Sequence, residues 1–371
     1  MKPFTPDSLP LDRVDWAAHV SLIGQANAAL ARYDGMLQGV VNPAVLLSPL
    51  TTQEAVLSSR IEGTQASMEE VLEYEAAPLQ KEITPEKQAD IQEIINYRRA
   101  MAAAVENLKK LPLCLNLIKE LHAILLESVR GRNKAPGEFR KIQNYIGPAG
   151  CSMEEATFVP PSPDKLPSAL DNWEKYLHFD EKDQLVQLAV VKAQFEIIHP
   201  FLDGNGRLGR MLIPLFLYAR GLLSSPIFYM SAYLEEHRDV YYGRLRAITE
   251  NGDWNGWIAF FLSALIEQAE HNTKTVRAII DLYGRLKDKI VTLTHSQYAI
   301  QVLDAIFSQP IFRSTQFQQL AKIPTRPTTM LILRKLGEAD ILKVLEKGKG
   351  RRPALMAFPG LINLVEGKSV V

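Results

Sequence analysis

The chain has 371 residues, too many for one ordinary core, and 47% of them are apolar, so two or three sizeable cores are expected. Its formal net charge is +0, from 42 basic and 42 acidic residues, which excludes a general pull toward nucleic acid or anionic membrane and leaves any such role to a local patch. The two cysteines, Cys114 and Cys151, form no CxxC pair, so neither a metal cage nor a disulfide framework is expected.

The opening MKPFTPDSLPLDRVDW holds no apolar core of signal-peptide length, and no run of about 18 apolar residues occurs anywhere. A cytoplasmic protein without a membrane partner is the expectation. From Trp16 to Met36 apolar residues recur at helical spacing, and a turn with Asn42, Pro43 and Pro49 follows. TTQEAVLSSRIEGTQASMEEVLEYEAA reads as a helix broken near Gly63 and resumed at Ser67, with Thr51 or Thr52 as its N-cap. A polar patch, Gln80 to Lys87, leads into a helix from Asp90 to Lys109 that Pro112 stops. The helix CLNLIKELHAILLESV then runs into the Gly, Asn and Pro-rich RGRNKAPGEFR.

From Phe139 to Pro161, short runs around a Gly/Pro/Ser turn predict a β-hairpin. Helical periodicity returns at Leu166–Phe179, Leu185–Ile198, Leu212–Arg220, Asp239–Glu250 and Trp254–Lys287. Pro214 lies inside one of these segments and is expected to remove a backbone hydrogen bond there. The fold class is therefore mainly α, a helical bundle carrying one hairpin. From about Ser296 the pattern changes. A helix spans Tyr298 to Phe307, Ser314 caps a second, PTTMLILRKLGEADI forms a third, and the β-like runs ILKVLE and PALMAF flank KGKGRR. Three helices and a basic hairpin predict a C-terminal winged helix-turn-helix. The expected domains are an N-terminal helical region (1–110), a central core (111–288) and the winged helix (290–371).

The chemistry concentrates in HPFLDGNGRLGR, His199 to Arg210. Gly204, Asn205 and Gly206 allow backbone conformations closed to bulky residues, and their N–H groups can converge as an anion nest. A helix starting there points its positive end at the same place. Arg207 and Arg210, three apart, share one side of that helix and suit phosphate oxygens through the bidentate guanidinium fork. His199 at the loop entrance is a general-base candidate, and Asp203 is a hard oxygen ligand suited to Mg²⁺ (or Mn²⁺) bridging phosphates. A base, a metal carboxylate, an anion nest and two arginines are the parts that phosphoryl or nucleotidyl transfer needs.

HPFLDGNGRLGR resembles the Fic-domain signature HPFx[D/E]GNGRxxR at every fixed position. PGEFR with QNYIG, then FVPPSPDKLPSALDNWEKYL, look like the family's flap and the helix after it, and RDVYYGRL with GDWNGWIAFFL like the end of its core. The resemblance implies a protein adenylyltransferase. His199 deprotonates a Ser, Thr or Tyr hydroxyl of a target protein, which attacks the α-phosphate of ATP. Asp203 holds the metal, and Gly204, Asn205 and Gly206 cradle the α- and β-phosphates. Arg207 contacts the β-phosphate and Arg210 the γ-phosphate. The flap, 139–161, docks the target as an added strand. Tyr242 either neighbours the adenine or packs in the core. The GNGR form favours AMP transfer over the phosphate transfer of the branch that reads ANKR.

LSPLTTQEAVLSSRIEGTQAS is similar to the N-terminal segment of the Fic subgroup with an inhibitory helix, whose pattern [S/T]xxxE[G/N] is met by Ser58, Glu62 and Gly63. The resemblance implies that Glu62 occupies Arg210 in place of the γ-phosphate, with Ser58 one turn earlier orienting it. Removal of AMP from a modified target is open in such relatives, and helices bearing the brake could pack across a homodimer. From Val291 to Val371, eleven Lys and Arg stand against five Asp and Glu, a net +6. Arg326 and Thr328 start the expected recognition helix. A DNA-binding regulator with a secondary core is thus the alternative function, and a protein-contacting winged helix the alternative use of the module.

Overall fold

The computed structural model describes every residue except Met1, 78–82, 128–132, Ala149 and Arg351. Arg351 of the expected wing, part of the polar patch from Gln80 and the start of RGRNKAPGEFR lie outside the described residues. The chain is mostly helical, and its elements divide between two compact units.

The first five helices are α1 (Trp16–Gln38), α2 (Pro43–Leu46), α3 (Ser48–Ile61), α4 (Met68–Ala76) and α5 (Pro85–Leu108). The break near Gly63 is as the sequence implies. Gly63 takes φ +101, and α4 starts at a capping box in which Ser67 and Glu70 satisfy each other's backbone N–H groups. Neither Thr51 nor Thr52 caps α3. The helix begins earlier, at Ser48, and Thr52 lies inside it, one turn beyond the Ser48 carbonyl.

The unit that holds the signature loop comprises Met1–Asp34, Leu57–Gly63 and Ile95–Glu270. Its core helices are α6 (Leu115–Leu125), α7 (Leu166–Leu177), α8 (Gln184–Ile198) and α9 (Asn205–Ala219), followed by α10 (Ser231–Glu236), α11 (Arg238–Asn251) and the start of α12 (Trp254–Thr294). Helix α8 is the axis, buried along nearly its whole length and packed against α7, α9 and α11. An all-round apolar sequence fits such a place. Asp183 caps its start by accepting from Leu185 N and Val186 N. The indoles of Trp173 and Trp257 donate to the Val191 and Ala189 carbonyls, fixing α8 from two sides. Helix α9 continues through Pro214 without ending.

The expected hairpin between 139 and 161 is reduced to one antiparallel bridge, Ile146 with Phe158. Gly147 and Pro148 leave the first leg at once, and Pro160 and Pro161 end the second, so no ladder extends. Side chains hold the legs instead, as described below.

The other unit takes in Gly35–Val56, Thr64–Ile94 and His271–Val371. After α12 come α13 (Ala299–Ser308), β1 (Ile311–Arg313), α14 (Phe317–Leu320), α15 (Arg326–Glu338), β2 (Lys343–Glu346), β3 (Leu355–Ala357) and α16 (Pro359–Glu366). The three strands form one antiparallel sheet in the order β1-β3-β2. Strand β1 and helix α16 are not among the elements that the sequence predicts. Ser314 does not cap α14. Its N–H bonds to the Ala354 carbonyl, extending the β1–β3 edge, and the helix starts after Gln316. Thr325 does cap α15, accepting from Thr328 N. No helix among the described residues is long and apolar enough to cross a membrane.

The capping box gives a direct stability test. Ser67→Ala should cost about 1 kcal/mol, read as faster amide exchange across α4 with little change in α8.

Candidate active site

The loop joins two packed helices. His199 closes α8 as its C-cap with φ +48 and ψ +60, a left-handed conformation that a histidine adopts only under constraint. Arg140 supplies much of that constraint. Its Nε donates to the His199 carbonyl at 2.9 Å and Nη2 to the Ile198 carbonyl at 3.3 Å, so a cation sits on the negative end of α8. The same guanidinium donates to the Pro161 carbonyl at 2.5 Å and the Ile142 carbonyl at 3.4 Å, one on each leg of the 139–161 segment. Burial pulls Arg140 down to about 10, still cationic at neutral pH.

The His199 ring turns Nδ1 toward the Glu196 carbonyl at 3.3 Å. If Nδ1 carries the proton, Nε2 keeps its lone pair. Burial lowers the imidazole's pKa, against the pull of Glu196, so the ring is neutral at pH 7.

Asn205 and Phe201 close the middle of the loop. The Asn205 amide accepts from Phe201 N and donates to Phe201 O, both at 2.9 Å. Its side chain is thus committed to the loop, and only its backbone can serve a ligand. Gly204, at φ +78, caps α9, and its N–H turns onto Asp203 Oδ1 at 2.5 Å, away from the expected nest. Asn205 and Gly206 stand in the first turn of α9, where N–H groups have no intrahelical acceptor.

Two residues that carry no site signal in the sequence hold the loop from outside. His122, fully buried on α6, stacks on Phe201 at 3.8 Å. Its Nδ1 accepts from Gly137 N at 2.8 Å, so its Nε2 is the donor to the Asp203 carbonyl at 3.0 Å. Asn144 donates to the Phe201 carbonyl at 3.0 Å. A histidine on an apolar helix face and an asparagine in a loop carry no local signal of this; only their through-space partners reveal it.

Arg207 is buried and reaches Asp203 Oδ1 at 3.3 Å. Arg210 is buried more deeply, with 1% of its side chain exposed. Its Nη2 donates to Glu62 Oε1 at 2.6 Å and to the Ser58 carbonyl at 2.8 Å, and its Nε to Ser58 Oγ at 2.8 Å. Ser58, in the last turn of α3, and Glu62, just past its end, thus meet Arg210 together. Burial raises the Glu62 carboxyl, but the Arg210 charge and hydrogen bond, helped by Arg207 and His199, outweigh it and hold it below the ordinary value. Gly206 makes room: a Cβ there would lie 2.2 Å from Glu62 Oε1. Gly63, at φ +101, turns the chain away right after Glu62, which explains a glycine or asparagine at that place. Tyr242 is 40% exposed beside Tyr241, with the Arg238 guanidinium 5.9 Å from its ring, so it is no core residue; the buried tyrosine is Tyr241.

Both hydrogen bonds to the Asp203 carboxylate fall on Oδ1, and the side chain is 41% exposed. Among the described residues no group of three or more His, Cys, Asp or Glu could hold a metal ion. One hard oxygen beside an anion site fits Mg²⁺, which commonly takes a carboxylate and completes its shell with phosphates and water.

The Fic/DOC family N-terminal profile matches residues 20–106 and the Fic/DOC family profile residues 112–217. "Protein adenylyltransferase Fic" of Drosophila grimshawi is 30% identical over 158 residues, 41% of this chain and 28% of that protein. A probable protein adenylyltransferase of Aquifex aeolicus is 26% identical over 152 residues, 37% of this chain and 45% of that protein. The chain thus spans less than half the length of these relatives. A Fic family protein from Desulfovibrio desulfuricans shares the fold over 96% of this chain and 98% of its own, with a TM-score of 0.58 at 18% identity. A Fic domain containing signaling protein from Bacteroides thetaiotaomicron does so over 68% and 97%, with a TM-score of 0.54 at 15% identity. The two profiles together match more than half of the chain, and it belongs to the Fic/DOC family.

Burial lowers His122 from 6.5 to about 4. Between those pH values the unfolded chain takes up a proton that folded His122 refuses, so stability is full above pH 6.5 and falls as pH drops toward 4. The loss should reach roughly 3 kcal/mol. Denaturation midpoints across this window should slope more steeply in wild type than in His122→Phe.

Proposed function

We propose that the chain is a protein adenylyltransferase that moves AMP from ATP to a hydroxyl of a target protein. The observation that carries this reading is the loop itself: a neutral His199 ends one helix, and six residues later α9 begins with Arg207 and Arg210 behind its positive end. The names of the relatives from Drosophila grimshawi and Aquifex aeolicus agree with it.

In this reading His199 Nε2 takes the proton from the target hydroxyl. The oxygen attacks the α-phosphorus, the bond to the bridging oxygen of the β-phosphate breaks, and pyrophosphate leaves. The N–H groups of Asn205 and Gly206, the α9 terminus and Arg207 stabilise the charge on the phosphates. Arg210 takes the γ-phosphate, and Asp203 holds Mg²⁺, which would neutralise phosphate charge when bound. Tyr242 flanks the adenine. The 139–161 segment presents the target: its exposed apolar Ile142, Tyr145 and Ile146 suit an added strand. We place the protein in the cytoplasm, in keeping with two free cysteines.

The Glu62–Arg210 pair is the brake. It fills the fork meant for the γ-phosphate, so ATP binds only in a pose unfit for in-line attack. Labelled ATP tests the whole scheme. Glu62→Gly should raise protein labelling from α-labelled ATP by up to about a hundredfold, while His199→Ala abolishes it. γ-Labelled ATP should leave no label, and transfer of its phosphate would sink the AMP reading. Release of AMP from a pre-modified target would add the reverse activity.

A second reading concerns the C-terminal module, whose order of helix, strand, two helices and two strands supports a winged helix-turn-helix. Arg326 and Arg334 are exposed on α15, and Lys343, Lys347, Lys349 and Arg352 on β2 and the following turn. This surface suits duplex DNA, although exposed Met330 and Leu331 on the same helix suit a protein. The 371-residue chain should shift duplex DNA at low salt, and Arg326→Ala should weaken the shift and flatten its salt dependence. No shift at low salt would leave the module to protein contacts.

A further inference from the structure

Helix α8 carries one cation in its buried length. The Lys192 side chain is 0% exposed, and its Nζ lies 2.5 Å from Glu196 Oε1 and 2.9 Å from the Tyr241 hydroxyl. Glu196 is 12% exposed, and Tyr241 is buried and 3.5 Å from the same carboxylate oxygen. A buried ion pair of this kind is often no more stabilising than apolar residues of equal volume. Stability alone therefore does not account for it.

Its surroundings point to a different purpose. The pair touches α9 at the residue before Arg210: a Cβ on Gly209 would lie 2.4 Å from Glu196 Oε1 and 3.2 Å from Lys192 Nζ. Glu62 is the main partner of Arg210, but Glu196 also acts to keep that guanidinium charged, while Arg210 and Lys192 repel each other. Two cations and two carboxylates thus share the ground beneath the loop. Glu196 is a second anion within electrostatic reach of Arg210, and Lys192 holds it in an ion pair.

We propose that Lys192 is a positioning residue for nucleotide binding: by holding Glu196, it keeps that carboxylate from capturing Arg210 and leaves the guanidinium for the terminal phosphate of a nucleoside triphosphate once Glu62 withdraws. This rests on reading the loop as the nucleotide site. Without Lys192, Glu196 would lose its cation and become a permanent countercharge open to Arg210. The γ-phosphate would then compete with a carboxylate inside the protein.

The contact at stake is with the third phosphate, so ADP serves as an internal control. Calorimetric titration of Glu62→Gly should show ATP binding more tightly than ADP. Adding Lys192→Met should weaken ATP about tenfold, equivalent to about 1.4 kcal/mol, and leave ADP within about twofold. Adding Glu196→Gln to that variant should restore the preference for ATP, since the competing charge is gone. Equal losses for ATP and ADP, or no rescue by Glu196→Gln, would reduce the pair to packing and overturn the inference. If Lys192→Met does not fold, Lys192→Gln keeps a donor without the charge and faces the same comparison. Absence of ATP binding in the Glu62→Gly parent overturns the nucleotide reading, and the Lys192 inference with it.

Discussion

A guanidinium with 1% of its surface exposed needs an anion, and Arg210 is in that position. Left unpaired, a buried charge costs several kcal/mol. Much of the local structure follows from meeting that need. Helix α3 must end within reach, so it stops at Ile61 and Gly63 turns the chain at positive φ. Glu62 must pass the first turn of α9, so residue 206 can have no side chain. Ser58, one turn before Glu62, supplies two further acceptors, its hydroxyl and its carbonyl. A helix end, a glycine and a serine spacing are consequences of one ion pair.

The loop between α8 and α9 meets a different demand. It has almost no regular structure, yet its groups must keep fixed places if they are to act on a reacting phosphate. Side chains that grip backbone carbonyls do this. Arg140 holds Ile198 and His199, His122 holds Asp203, and Asn205 and Asn144 hold Phe201. None of these contacts uses the side chains of Leu202 and Leu208. Because Arg140 also holds Ile142 and Pro161, a displacement of the 139–161 segment would be felt at the His199 backbone.

Features set by near neighbours were legible in the sequence. The break at Gly63, the Ser67 start and the glycine-rich turn all depend on residues within one helical turn, whereas the pattern of Ser58 and Glu62 was visible only through the family resemblance, because its partner Arg210 is distant. Features set by distant partners were not. Ser314 looked like a cap but its N–H answers Ala354, and Ile311–Arg313 becomes a strand only because Leu355–Ala357 lies beside it. Arg140 and His122 belong to this second group. Lys192 falls between them. A lysine inside QLAVVKAQFEII, four residues before a glutamate, is visible as a charge in an apolar run. Its meaning needs the approach of Gly209.

The two carboxylates near Arg210 differ in how they are held, and that difference decides which can leave. Glu196 is tied to Lys192 on its own helix and is 12% exposed, so moving it would strand a buried cation. Glu62 directly follows the end of a separate helix and is 35% exposed. Either departure leaves a buried cation, Lys192 or Arg210, without its carboxylate, so the difference lies in the anions: solvent takes over the hydration of Glu62 more readily than that of Glu196. The cation left behind keeps its place through Ser58, and an arriving phosphate meets a preset fork. An exchangeable anion outside and a fixed, neutralised pair inside are what a reversible brake on Arg210 requires.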